Sequence, residues 1–306
     1  MTQTAFARID RDGIAAMETH IRPYIRRTPL LALDGVALKL ELHQVGGSFK
    51  ARGAFANLLT RTVPEGGVVA ASGGNHGVAV AHAAARLGIA CKVFVPEVSS
   101  PAKIERIRAS GAQLAIVSGV YPDARRAAEA DARERDALIV EAYDHATTIL
   151  GAGSLGKELE EADAAIDTVL VPVGGGGLIA GVAAWYARRA RIIPVEPEGA
   201  PTLDWALRAG GPVDAPTGSI ANDALAAGAI GALVYPIAQQ FVERVILVSD
   251  DDIRAAREAL WQDGRIAAEP AGATAYAALL SRKYVPADGE RVAVIVSGGN
   301  AVVTWT

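Results

Sequence analysis

Apolar positions alternate along the chain between two rhythms. Val36-Ala37-Leu38-Lys39-Leu40-Glu41 reads as an apolar strand, and just beyond it Phe49, Phe55, Leu58 and Leu59 recur at near-helical spacing. Ahead of that pair, Ile14, Met17, Ile21 and Tyr24 form one stripe of a helix over 10–24, which Arg27-Thr28-Pro29-Leu30 ends. The pattern then turns regular. Strands at 67–71, 89–95, 113–117 and 138–140 interleave with helices at 76–87, 101–109 and 122–135, Pro101 standing near the first turn of the middle one. A second series follows, with helices at 147–162, 178–189, 250–261 and 271–282 between strands at 168–173, 192–196, 245–248 and 292–296, and with Ser249 as an N-cap. Residues 197–220, with glycines at 199, 210, 211 and 218, read as an irregular excursion. Such alternation builds βαβ crossovers, so the expected class is α/β with parallel, doubly wound sheets.

Length changes this picture from one sheet to two. A chain of 306 residues exceeds what a single core usually holds, so two doubly wound domains are expected. Residues 63–145 form the smaller one, inserted in a larger one made of 1–62 and 146–306, because Lys50 precedes the small block yet should face a cleft between the two. Hydrophobic residues at 51% and charged residues at 21% place the chain with globular enzymes. A net charge of -4 gives no footing for nucleic acid or an anionic membrane. The start of the chain lacks the apolar core of a signal peptide, and no run of about 18 apolar residues occurs, so a soluble cytoplasmic protein is expected. Cys91, the single cysteine, lies in an apolar run and reads as a core residue.

Candidate chemistry centres on Gly47-Ser48-Phe49-Lys50-Ala51-Arg52-Gly53-Ala54, where a lysine stands at a helix start. A charged lysine there opposes the positive end of the helix dipole, whereas a neutral or Schiff-base lysine does not. A surface lysine in a glycine-rich turn explains this stretch equally well. Three more loops end strands of the pattern, the position where open α/β sheets bind ligands. Ala71-Ser72-Gly73-Gly74-Asn75-His76-Gly77 offers free N–H groups to an anion such as a carboxylate. Gly174-Gly175-Gly176-Gly177 makes a backbone cradle for a phosphate, and no Lys-Ser or Lys-Thr follows it as in a nucleotide triphosphatase. Ser297-Gly298-Gly299-Asn300 ends the final strand. Each loop alone is an ordinary tight turn. Together they meet the needs of pyridoxal 5'-phosphate: a lysine, a phosphate cradle and a partner for the pyridine nitrogen.

With these motifs the chain resembles the fold-type II pyridoxal-phosphate enzymes, whose fold is tryptophan synthase β-like, and within them the serine/threonine dehydratase and serine racemase branch. The resemblance runs from Arg27-Thr28-Pro29-Leu30 through the lysine loop, Gly74-Asn75-His76, Gly151-Ala152-Gly153-Ser154, the tetraglycine and Glu269-Pro270-Ala271-Gly272-Ala273 to Ser297-Gly298-Gly299-Asn300. It implies that Lys50 carries the cofactor with Phe49 beside it, that Asn75 bonds the 3'-oxygen and that Gly174, Gly175, Gly176 and Gly177 hold the phosphate. Ser297 would face the pyridine nitrogen. Ser72 with the amides of Gly73, Gly74, Asn75 and His76 would bind the substrate carboxylate. A neutral hydroxyl at the ring nitrogen mutes the electron sink and favours loss of a β-leaving group.

The expected activity is dehydration and deamination of a small L-hydroxy amino acid such as threonine or serine. Alternatives are a serine or hydroxyaspartate racemase/dehydratase, a dehydratase of a bulkier 3-hydroxy amino acid, and a catalytically silent module that binds a phosphorylated ligand, for which Leu42, His43 and Gly46 are the supporting departures. In the racemases it resembles, a serine follows the loop's first serine as second proton carrier; here that position is Gly73, so elimination should dominate and a larger β-substituent gains room. Some relatives bind a divalent cation through a glutamate, a carbonyl and an aspartate. Glu196 and Ala200 match the first two, but Thr202 replaces the aspartate, which weakens a hard-cation site. His20 and His145 read as structural, and the arginines between 125 and 135 as a solvated helix face. The resemblance also implies a homodimer, and the lack of sequence for a regulatory domain after Asn300 implies no end-product feedback.

Overall fold

The computed structural model describes residues 8–99, 101–225 and 227–300. The chain opens with α1 (Arg11–Ile21), whose N-cap Asp10 accepts the Gly13 amide at 2.9 Å. A hairpin of β1 (Leu30–Leu33) and β2 (Val36–Leu40) follows, then α2 (Lys50–Thr60). Next come β3 (Val68–Ala71), α3 (Asn75–Leu87), β4 (Cys91–Pro96), α4 (Pro101–Ala109), β5 (Gln113–Val117), α5 (Tyr121–Arg135) and β6 (Leu138–Ile139). The remainder runs α6 (Ala146–Ala162), β7 (Thr168–Pro172), α7 (Gly177–Tyr186), β8 (Arg191–Pro197), α8 (Thr202–Ala209), α9 (Asn222–Leu225) and α10 (Val234–Phe241). It ends with β9 (Ile246–Val248), α11 (Asp250–Gly264), α12 (Pro270–Leu280) and β10 (Val292–Val296).

These strands form two sheets. One has six strands in the order β1-β2-β10-β7-β8-β9, and the other four in the order β5-β4-β3-β6. Every pairing is parallel except β1 with β2, which Asp34 and Gly35 join with φ of 48° and 80°. Positive φ at both loop residues is the hairpin turn that Asp-Gly favours, so an antiparallel edge strand stands where the sequence reading had only the end of a helix. The excursion over 197–220 is likewise less irregular than expected. It contains α8, whose Leu203 and Ala206 are buried against the main core. Among the described residues no helix is long and apolar enough to cross a membrane.

Helices α1, α2 and α7 pack around α6, which is buried along most of its length. The approach is close because glycines meet: a Cβ on Gly181 of α7 would lie 2.5 Å from the Gly153 nitrogen. Gly151-Ala152-Gly153-Ser154 is therefore a helix-packing motif inside α6. Where α2 and α6 cross β2, four charges are buried together. Arg52 donates to Glu41 (2.8 and 2.7 Å) and to Glu158 (2.9 Å), and Lys39 donates to Glu158 (2.5 Å) and to the Thr28 carbonyl (2.7 Å). Thr28 and Ser154 supply the remaining hydroxyl contacts. Burial raises the cost of ionising Glu158, but the fields and hydrogen bonds of Arg52 and Lys39 outweigh it and hold its carboxyl below the ordinary range. The cluster ties the first turn of α2 to β2 and α6, and so fixes where Lys50 begins.

Candidate active site

Lys50 is the first residue of α2, and it lines a cavity of about 410 Å³ between the two sheets' loops. Its Nζ donates to the Ala142 carbonyl at 2.7 Å and sits 5.1 Å from the centre of the Phe49 ring. It has no acidic partner among the described residues. Burial alone lowers its pKa from 10.5 to about 8. The lysine at this helix start is thus a poorly solvated amine, not a surface charge.

The loops named from sequence converge on it. Ser72, Gly73, Gly74, Asn75 and His76, from the end of β3 into α3, line the same cavity, as does Gly175 from the turn between β7 and α7. Ser72 Oγ accepts the Gly74 amide at 3.0 Å, which shapes the anion loop. The His76 ring is buried and its Nε2–H donates to the Val140 carbonyl at 2.8 Å. Burial, and then the charge of Lys50, push its pKa down to about 3 against that hydrogen bond, so the side chain is neutral and only its amide is available to an anion.

The tetraglycine tolerates no side chain. A Cβ on Gly175 would lie 2.4 Å from the Tyr143 ring, and one on Gly174 would lie 2.8 Å from the Leu225 backbone. Gly176 caps α7 with φ of 87°, a backbone shape that glycine alone adopts freely. The amides of Gly177 and Leu178 then open the helix, where N–H groups lack helical acceptors and the dipole favours an anion.

The end of β10 closes the site from the other side. Phe49 N–H donates to the Ser297 carbonyl (3.1 Å), Gly299 N–H to the Gly47 carbonyl (3.0 Å), and Ser48 bridges Gly298 in antiparallel fashion. Ser297 Oγ is buried, 3.4 Å from the Ala271 carbonyl. Asn75 donates one Nδ2 hydrogen to Glu269 and accepts from Asn300 Nδ2 at 2.9 Å, which leaves its second Nδ2 hydrogen unassigned by these two contacts.

Several participants carry no signal of their own in the sequence. Tyr121 and Tyr143 wall the cavity. Lys103 of α4, nearly fully buried, lies 3.3 Å from Asp223 and 3.5 Å from Glu269. Glu269 opens a stretch that the sequence marks through resemblance, and a lone carboxylate before a proline in an apolar run is a further signal. Ser99 corrects an expectation. It lies over Gly73 so closely that a Cβ there would meet Ser99 Oγ at 1.8 Å and Ser99 Cβ at 2.4 Å. Gly73 therefore opens no room beside the loop, because a side chain from the turn after β4 already fills it. His145 caps α6, its Nδ1 accepting the Thr147 amide at 3.2 Å, and His20 bonds the Ala16 carbonyl at 2.8 Å. Cys91 is packed against the core, and burial pushes its thiol up to about 12.

A half-buried amine, a loop of amides at a helix start and a glycine turn without room for side chains, set around one cavity of this size, fit a phosphorylated aldehyde bound beside a carboxylate. The comparisons agree. A family profile described as "Pyridoxal-phosphate dependent enzyme" matches residues 21–298, and the chain belongs to that family, with pyridoxal 5'-phosphate as cofactor and two parallel sheets of fold type II. Phenylserine dehydratase of Ralstonia pickettii is 36% identical over 95% of this chain and 93% of its own length. Biosynthetic L-threonine dehydratase of Escherichia coli is 37% identical over 88% of this chain, which spans 54% of that longer protein. The structure of maize serine racemase superposes with a TM-score of 0.91 at 32% identity, over 96% of this chain and 94% of that one. Within the family the chain falls in the threonine dehydratase and serine racemase branch.

Proposed function

We propose that this chain is a dehydratase that removes the β-hydroxyl and the amino group of a small L-hydroxy amino acid, threonine or serine, and releases a 2-oxo acid and ammonia. One observation carries the reading: a half-buried lysine without an acidic partner among the described residues shares a cavity with the Ser72–His76 loop and with Gly175 of the glycine loop. The bound cofactor supplies an electron sink that acidifies Cα and promotes loss of the β-substituent. In this reading Ser72 and the Gly73–His76 amides hold the carboxylate at the start of α3. Lys50 Nζ takes the Cα proton, and its depressed pKa keeps much of the amine neutral near pH 8. Gly174–Gly177 hold the phosphate, and the second Nδ2 hydrogen of Asn75 meets the ring's 3'-oxygen. Ser297 offers the ring nitrogen a hydroxyl, which does not hold a proton there as a carboxylate does. Assay of 2-oxo acid release from L-serine, L-threonine and phenylserine tests the reading, and no release from any of them overturns it.

A bulkier substrate is the second reading. Tyr121, Tyr143 and Val98 give the cavity an aromatic and apolar wall, and the phenylserine dehydratase relative matches the chain over almost its whole length. Preference for phenylserine in the same assay selects it.

Two further expectations attach to this site. Cofactor uptake by the apoenzyme should quicken as pH rises through about 8 and then level, since the lysine that attacks the aldehyde is neutral above that value. An ordinary lysine would keep gaining toward 10.5, so stopped-flow absorbance against pH tells the two apart. Elimination should dominate over racemisation, with little D-serine formed from L-serine. Gly73→Ser alone should raise the D-serine share less than Gly73→Ser combined with Ser99→Gly, because the new side chain must first displace Ser99. Chiral chromatography of both variants checks this.

A further inference from the structure

The loop assigned above to the phosphate is held from behind by groups that the chemistry at Lys50 does not use. Thr202, the first residue of α8, is fully buried, and its Oγ1 lies 2.6 Å from the Gly174 carbonyl and 2.8 Å from Glu196 Oε1. Glu196, near the end of β8, is also fully buried. Its Oε1 accepts the Leu203 amide at 2.8 Å and its Oε2 the Asp204 amide at 3.0 Å. The Ala200 carbonyl accepts the Thr202 amide at 3.1 Å.

These contacts leave no place for a hard cation. Such an ion needs six or more oxygens free to turn toward it. Here both oxygens of Glu196 already accept amides of α8, the Ala200 carbonyl is engaged by Thr202, and Thr202 brings a neutral hydroxyl where a second carboxylate would be needed. Among the described residues there is also no group of three or more His, Cys, Asp or Glu placed to hold a metal. The oxygens that could ligate an ion are already engaged within the protein.

We infer that Thr202 is a positioning residue for the phosphate loop: with Glu196 it forms a cation-free strut that fixes the Gly174 carbonyl and so the aim of the amides that follow it. The inference rests on the assignment of Gly174–Gly177 to the phosphate. A hydroxyl is what the place requires, since one short hydrogen bond to the carbonyl sets the plane of the Gly174–Gly175 peptide, and that N–H belongs to the cradle. Thr202→Val keeps the shape and removes the bond.

The test compares the affinity of apoenzyme for pyridoxal 5'-phosphate and for pyridoxal, which lacks the phosphate. Thr202→Val should weaken the phosphorylated ligand about tenfold, in line with one lost buried hydrogen bond, and leave pyridoxal unchanged. Thr202→Ser should restore wild-type affinity, and circular dichroism establishes that each variant is folded. EDTA, Mg²⁺ and Ca²⁺ should shift neither the melting temperature nor the cofactor affinity of the wild type. Unchanged discrimination in Thr202→Val overturns the strut, and so does a wild type that loses cofactor with EDTA and regains it with either cation. Failure of the underlying assignment looks different: Gly175→Ala would then bind both ligands as the wild type does.

Discussion

Lys50→Ala should lower turnover by at least ~10³-fold, the scale on which a positioned base and a covalent anchor act, while the protein stays folded. Nothing in the core depends on the amine, whose one hydrogen bond goes to the Ala142 carbonyl. Its removal relieves the burial of a charge that the site lowers to a pKa of about 8. Loss of activity should therefore come with an unchanged or higher melting temperature when the two apoenzymes are compared. The purified variant should also lose the cofactor's visible absorbance that responds to added amino acid. A silent binding module gives the opposite result, with ligand affinity intact and nothing lost. Parallel measurement of 2-oxo acid release, absorbance and melting separates the two.

Arg52→Met should destabilise the fold by about 3–5 kcal/mol, as expected when one partner of a buried ion cluster is removed. Without the guanidinium, Glu41 keeps only the Thr28 hydroxyl among the contacts described here, and Glu158 keeps Lys39 and Thr28. A buried carboxylate left this way takes up a proton, so the loss should be smaller in mild acid than at neutral pH. Arg52→Lys should not rescue it. One ammonium cannot span Glu41, Glu158 and Ser154, which the planar guanidinium reaches with three nitrogens. Thermal melting at pH 5 and pH 7 checks both statements. A drop of roughly 5–8 °C at neutral pH is the expected scale for a chain of this length.

Much of the architecture was legible because apolar spacing and helix signals agree along most of the chain. The elements at 101–109, 113–117 and 292–296 match their expected limits, and Ser249 forms the capping box that its position announces. The hairpin is less legible although Asp34-Gly35 is a strong turn signal, because Pro29 and the short apolar run after it also suit the end of a helix. Helix α8 was hidden by the glycines around it. At the site, the glycine loops and Lys50 announce themselves since their backbones need particular shapes. Ser99, Tyr143, Lys103 and the Thr202 strut do not, because their meaning lies in what the fold brings next to them. Gly73 shows the limit most clearly: a small residue predicts space, and a distant serine fills it.

Strand β10 runs between β2 and β7, and the loop that follows it is bonded to the lysine loop across a sequence separation of 254 residues. The order of synthesis therefore constrains when the enzyme can become competent. A nascent chain that has reached only α12 has its lysine and its glycine loop but no central strand to set them side by side, and no Ser297 opposite. Contacts this distant in sequence form late and slowly. Cofactor capture must accordingly wait for β10 to clear the ribosome, and until then β2 and β7 expose the edges that it will join. For this chain the vulnerable interval in the cell is the stretch of translation between β7 and β10, when two parallel edges are open to the wrong partner.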